Sequence, residues 1–533
     1  MSRRCLAGGR GVKQLSGNLD MKINRRSFLQ MNAAVGAGLL AQGVEFSAAA
    51  RPAGATKPND HAYVDRIAFG PWMNDTRMDP LPFSGWPAEG FDDVTVNSLI
   101  RTFDLNQAYG YNIYDIFGLF ATWGWPDDIE SAATPERAAR VRKVIKAAHE
   151  RKIKVIPGMG VYSWGFDEII KKHPEVAGTN EHAMCASKEA SWKWQQKLVD
   201  FMMKWDIDGF HLEAADLGRC TCAECLKRWP RNPAYYNYVT SRTAQYIRGK
   251  MPGAYLMLTT ISWADWNTGF TDQDKDALVE ISKNVDCIFD QGHHSCYVRP
   301  PERKPFIERL HCRFGTSGGL WAYPTHLWDR LQWFLPYPKQ TGAHLKELYA
   351  DGGRGMLYYQ GPPNNPGVEI NIAFGGQLMC NVDKSVEENL SHVLERLYQP
   401  KSPAALAKLV QVVLGAEDAY FNSMEWDEKH RYLKGNKAYP GPGELHLSRP
   451  ITGIYGTPDY LLEPQLTQDG RKAYNAKLEA CLKDVHALGD QFKAQARMKR
   501  LQTAMLNTLM MVRTAISTQQ WEEQLEKERK KSP

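Results

Sequence analysis

DGFHLEAADLGRCTCAEC, residues 208–225, joins a strand-like run to three closely spaced cysteines. Phe210 and Leu212 alternate with His211 and Glu213, so Ile207–Asp216 reads as a strand with both polar side chains on one face. Helix-like patterns flank it at Ser191–Trp205 and Tyr235–Met251. The same alternation extends in both directions. Strands are expected at Arg66–Trp72, Asn112–Phe120, Ile153–Trp164, Tyr255–Trp263, Val285–His294, Arg313–Tyr323 and Arg354–Gly361. Further helices are expected at Thr134–Arg151, where Pro135 follows a Thr cap, and at Thr271–Asn284. Strand and helix alternating eight times over about 300 residues is the pattern of a (β/α)8 TIM barrel. A doubly wound open sheet fits less well, because Phe69-Gly70-Pro71-Trp72 is not a Gly-rich phosphate turn.

Beyond residue 378 only helical patterns remain: Ser385–Tyr398, Ala404–Leu414, Ala416–Phe421, Gly470–Leu488 and a long polar helix out to Lys530. Residues 51–377 are therefore expected to form the barrel and 378–533 a mainly helical C-terminal region. Lys434–Gln465, rich in Pro, Gly and Tyr, reads as an extended linker, and Glu522–Pro533 as a solvated tail.

Residues 1–50 read as an address. Asn24-Arg25-Arg26-Ser27-Phe28-Leu29-Gln30 resembles a twin-arginine export signal; the apolar stretch Met31–Val44 and the small residues Ala48-Ala49-Ala50 complete the pattern. A mature chain is expected to begin near Arg51, in the periplasm or outside the cell. Met21 gives a more usual start for such a signal, so residues 1–20 read as lying upstream of it. The apolar stretch is short and glycine-rich, so stable membrane insertion is not expected. The formal charge of +6 is small for 533 residues and the basic residues are scattered, which argues against a nucleic-acid partner.

In a barrel of this class the chemistry lies where strands end. His211 and Glu213 then enter the mouth together. Other strand ends offer Asp115, Ser163, Asp290, His293, His294 and Tyr359. Asp290 is the best second carboxylate by position, since it closes the apolar run Cys287-Ile288-Phe289; a turn or helix-cap role competes closely with that reading. Sixteen tryptophans, several at strand ends (Trp123, Trp164, Trp263), offer flat apolar faces with a polar N–H, which suit sugar rings. Two carboxylates between aromatic walls fit glycoside hydrolysis. Glu213 and Asp290 are the expected catalytic pair, with His211, Asp115, Trp123, Trp164, Trp263, His293 and Tyr359 at the carbohydrate. Two other readings stand beside it. One is a metal-dependent sugar isomerase, epimerase or lyase using His211, Glu213, Asp290, His293 and His294; the other is a sugar-binding barrel without catalysis.

Asp208-Gly209-Phe210-His211-Leu212-Glu213 followed by Cys220-x-Cys222-x-x-Cys225 resembles exported bacterial barrel proteins related to the alpha-glucuronidase and beta-hexosaminidase type of glycoside hydrolase. Asn381-Val382-Asp383 to Tyr398, and Ala416 to Tyr420, are similar too. The resemblance implies that Glu213 is the strand-four acid and that Asp290 corresponds to a base further round the barrel. Strand seven, Phe314–Leu320, lacks the carboxylate that several sugar-cleaving barrels carry there, which leaves inverting and retaining mechanisms open.

Glycosidic cleavage by carboxyl groups needs no cofactor. The cysteines have a separate purpose. Cys220, Cys222 and Cys225, with Cys185 from the preceding loop, make either a structural zinc site or disulfides. In both cases the cluster staples the loop that follows Glu213.

Overall fold

The computed structural model describes residues 58–69, 91–121, 124–214, 217–260, 263, 270–290, 297–298, 301–319, 334–360, 365–421 and 468–530. The export signal and the linker at 434–465 lie outside these residues, as do Trp123, His293 and His294.

Eight parallel strands close into a barrel: β1 (Asp65–Phe69), β2 (Ile113–Ile116), β3 (Lys154–Gly160), β4 (Gly209–Glu213), β5 (Tyr255–Thr259), β6 (Cys287–Asp290), β7 (Arg313–Gly319) and β8 (Gly355–Tyr359), with β8 pairing back to β1. All eight fall inside or within one residue of the stretches read from sequence, and they end earlier. Residues 117–120 and 161–164, which follow β2 and β3, lie outside the strands.

Local chemistry places the helices. Thr134 accepts from the Arg137 amide and Pro135 occupies the first turn of Pro135–Glu150. Thr271 and Asp274 form a reciprocal capping box at the start of Asp272–Ile281. On the outer face of the barrel Phe210, Leu212, Leu256, Leu258 and Ile288 join the apolar sides of the flanking helices in one core. The opposite strand faces fill the interior with Ile67, Phe69, Ile113, Ile156, Met257, Phe289, Leu357 and Tyr359. At the lower end Arg313 makes paired hydrogen bonds to Asp65, 2.5 and 3.1 Å long, so that floor is plugged by an ion pair.

Two differences from the sequence reading concern helices. Pro366–Cys380 is one helix with every residue buried, and its apolar residues lie all round it, so they carry no 3.6 period. It lies under the C-terminal helices, with Arg497 of Gln495–Arg529 paired to Glu369 at 2.7 Å. Pro403–Phe421 runs unbroken through Gly415. A Cβ there would stand 3.4 Å from the Cys481 sulfur, in ordinary contact with the neighbouring helix Gln468–Leu488. The final helix runs to Arg529, within one residue of the expected end, and takes in most of the segment read as a solvated tail.

Glu417 of Pro403–Phe421 caps a different helix. Its two carboxyl oxygens accept from the Lys339 and Gln340 amides, at 2.9 and 3.0 Å, in the first turn of Pro338–Ala350. Those amides have no partner within their own helix. Among the described residues no helix is long and apolar enough to cross a membrane.

Candidate active site

Alternation along β4 turns Gly209, His211 and Glu213 into the barrel and Phe210 and Leu212 outward. The His211 ring confirms the direction: it meets Phe69 and Phe117 edge-on at 6.0 and 4.9 Å. From there a continuous chain of hydrogen bonds crosses three strands. His211 Nδ1 lies 2.7 Å from Asp115 Oδ2 on β2, and His211 Nε2 lies 3.0 Å from Thr259 Oγ1 on β5. Thr259 in turn donates to Glu213 Oε2 at 2.5 Å.

Reaching from β4 to β2 requires passing over β3, and the residue of β3 in register with His211 is Gly158. A Cβ on Gly158 would lie 2.1 Å from the Phe117 ring. Glycine there lets Phe117 lie flat across the strand and roof the His211–Asp115 contact. The chain immediately above is also constrained. Tyr162 and Trp164 have φ of +63° and +65°, conformations that side-chain-bearing residues seldom adopt. The turn delivers the Trp164 indole back over the barrel, edge-on to Phe117 at 4.8 Å. Trp164 then forms one wall of a cleft shared with Leu119, Phe120, Gly124, Gly158 and Gly165.

Exposure orders the acids. Asp115 is fully buried, and Glu213 keeps 6% of its surface. Burial pushes the Asp115 carboxyl above the ordinary aspartate range, opposed by the charge and hydrogen bond of His211. The chain of hydrogen bonds can run with the exchangeable proton at either end, while Asp115 Oδ1 is buried without a hydrogen-bond partner. With Glu213 protonated, donation runs from Glu213 to Thr259, from Thr259 to His211, and from Nδ1–H to ionised Asp115. With Glu213 ionised, every donor reverses and Asp115 holds the proton. The total charge is the same in both.

The expected site residues divide accordingly. His211, Glu213, Asp115 and Tyr359 converge on the upper interior, with Tyr359 tilted against Phe69 at 5.0 Å. Asp115 and His211 are more deeply buried than Glu213. Trp164 lines the cleft. Asp290 does not join them: Cys287 and Phe289 take the inner face of β6, which turns Ile288 and Asp290 under the helices. Its carboxylate accepts from the Thr260 hydroxyl at 3.0 Å and from the Tyr297 and Val298 amides at 3.1 and 2.8 Å, the bonds of a loop anchor. The expected pairing of Glu213 with Asp290 is thus not a described contact: these bonds hold Asp290 to the loops after β5 and β6. Trp263 is fully buried and packs against Tyr236 of Asn232–Lys250 at 5.6 Å. Thr259 was missed from sequence. Its only signal is its place at the end of a strand, two residues after inward-facing Met257.

A metal in this mouth finds no ready ligand set among the described residues. Both His211 nitrogens are occupied by Asp115 and Thr259, and Asp290 faces elsewhere. The one cluster of described His, Cys, Asp or Glu side chains that can hold an ion is Cys185, Cys220, Cys222 and Cys225, whose sulfurs lie within 4.8 Å of one another. These thiols are free, with no disulfide among them.

No family model matches the chain, and no curated protein does. Solved structures do. The chain is similar to a GH138 enzyme targeting pectin rhamnogalacturonan II, at 12% identity and a TM-score of 0.53, over 87% of this chain and 73% of that one. It also aligns with a mutant of the O-GlcNAc hydrolase of Thermobaculum terrenum, at 8% identity and a TM-score of 0.44, over 86% of this chain and 94% of that one. The first likeness bears on the fold, and it agrees with the closed barrel built from the sequence; the second falls below the level at which a shared fold follows.

Proposed function

We propose that the protein is an exported glycoside hydrolase acting on a polysaccharide or its oligosaccharides, with Glu213 as the proton-transferring carboxyl group. The observation that carries this reading is the chain Asp115–His211–Thr259–Glu213, which leaves one carboxyl group at the mouth and a second, buried one behind it. A general acid must deliver a proton to the leaving oxygen as the glycosidic bond breaks, then regain one from the attacking water. Glu213 is the inward carboxyl group at the upper end of the described strands that keeps exposed surface, and the chain gives it a partner with which to exchange its proton. Asp65, at the floor, is committed to Arg313. In this reading Trp164, which lines a cleft with Leu119, Phe120 and Gly165, supplies an aromatic edge for a sugar ring. The fold shared with an enzyme that targets a pectic polysaccharide makes acidic plant glycans a first choice of substrate.

This chemistry uses no cofactor, so whatever the four thiols hold is structural. The test is product analysis on a panel of polysaccharides that includes pectic, uronic-acid and amino-sugar polymers. New reducing ends released by the wild-type protein support the reading. Tight binding without release of any product would turn the barrel into a sugar-binding module.

A further inference from the structure

We propose that Cys185, Cys220, Cys222 and Cys225 bind one zinc ion that ties the loop after β3 to the loop after β4. The geometry of the sulfurs argues for an ion at their centre. Cys185 Sγ stands 3.7 Å from Cys222 Sγ and 3.6 Å from Cys225 Sγ. Thiolates about 2.3 Å from a tetrahedral zinc have neighbouring sulfurs about 3.8 Å apart, whereas a disulfide brings two sulfurs to about 2.05 Å. Four sulfur donors fill a tetrahedral site and leave no open position, which is the arrangement of a structural ion.

The surroundings are built for charged sulfur. The Ser187 hydroxyl lies 3.0 Å from Cys185 Sγ and 3.9 Å from Cys222 Sγ, and the Thr179 hydroxyl lies 3.7 Å from Cys220 Sγ. Hydroxyl donors of this kind neutralise thiolate charge around a bound metal. Gly178 presses directly on the cluster: a Cβ there would lie 2.3 Å from Cys220 Sγ and 3.2 Å from Cys185 Cβ. Cys185, Cys220 and Cys225 are buried, and partly exposed Cys222 gives an ion its way in. Binding replaces four S–H bonds by four Zn–S bonds and releases four protons.

The two loops already touch around the cluster. Asn180 Nδ2 donates to the Leu217 carbonyl at 2.9 Å, and the Thr221 amide donates to Thr179 Oγ1 at 2.7 Å. One of these loops continues directly from Glu213 and the other from Trp164. Zinc here would fix both relative to the barrel mouth.

The assignment is independent of the glycosidase reading, and its test needs no substrate. Elemental analysis of the purified full chain should find about one zinc per molecule. The four thiols should resist a thiol reagent until a strong chelator is added, chelation should lower the melting temperature, and zinc should restore it. Cobalt added to the chelated protein should produce the intense sulfur-to-metal absorption of a four-thiolate site. Cys222→Ser, which removes the most exposed ligand, should weaken that absorption. Metal-free protein with these cysteines in disulfides, thiols that react freely without chelation, or iron in place of zinc would overturn the proposal.

Discussion

Thr259 is the residue on which the proton chain turns, because its single hydroxyl serves both His211 and Glu213. Thr259→Val keeps the shape and removes the hydroxyl. Turnover should fall by about 10- to 100-fold. A hydrogen bond donated to the ionised carboxylate favours that form, and a general acid works only while protonated. Without the donor, activity should therefore persist to higher pH, and Thr259→Ser should restore both rate and profile. A pH–rate measurement decides: lower activity with an unmoved alkaline limb would mean that Thr259 only packs. The pairing of His211 and Glu213 on one strand face was legible in the sequence, since period-two alternation puts both on the same side. The link to Asp115 was not. It spans 96 positions and depends on Gly158 holding the intervening strand bare.

At the scale of single elements, the eight strands were legible because each apolar run is bounded by helix-starting residues such as Thr134 and Thr271. The facing of β6 was not. Cys287-Ile288-Phe289 is apolar on both faces, as in a strand buried on both sides, so no alternation shows where Asp290 points. Pro366–Cys380 escaped notice for the helical version of the same reason. One element-level contact has a pH consequence. Burial pushes the Glu417 carboxyl up to about 8, against the amides of Lys339 and Gln340 that pull it down. In the unfolded chain the group ionises near its ordinary value of 4.5. Between these values the folded state holds a proton that the unfolded state has lost, so stability falls as pH rises. The loss over pH 5–8 should be about 3 kcal/mol. Denaturant unfolding at several pH values measures it, and Glu417→Gln should flatten the slope; an unchanged slope would place the titration elsewhere.

For the whole molecule, the barrel and the helical layer that follows it were legible from the order of periodic segments alone, while the division of labour inside the mouth needed three dimensions. The same indole chemistry serves at Trp164 in the cleft and at Trp263 in the core, and only packing separates them. We extend the proposal of export to a test: replacing Arg25 and Arg26 together by lysine should leave unprocessed precursor in the cytoplasm. Mature protein outside at its normal level would remove the twin-arginine reading. The central claim is that Glu213 transfers the proton, and the most direct measurement is the turnover of Glu213→Gln on the best glycan from the substrate panel. The amide keeps the size and cannot give up a proton as the acid does, so turnover should fall by about two to four orders of magnitude with the fold intact, and an activated aryl glycoside should be spared relative to the glycan. Near-normal cleavage of the glycan by this variant would contradict the account.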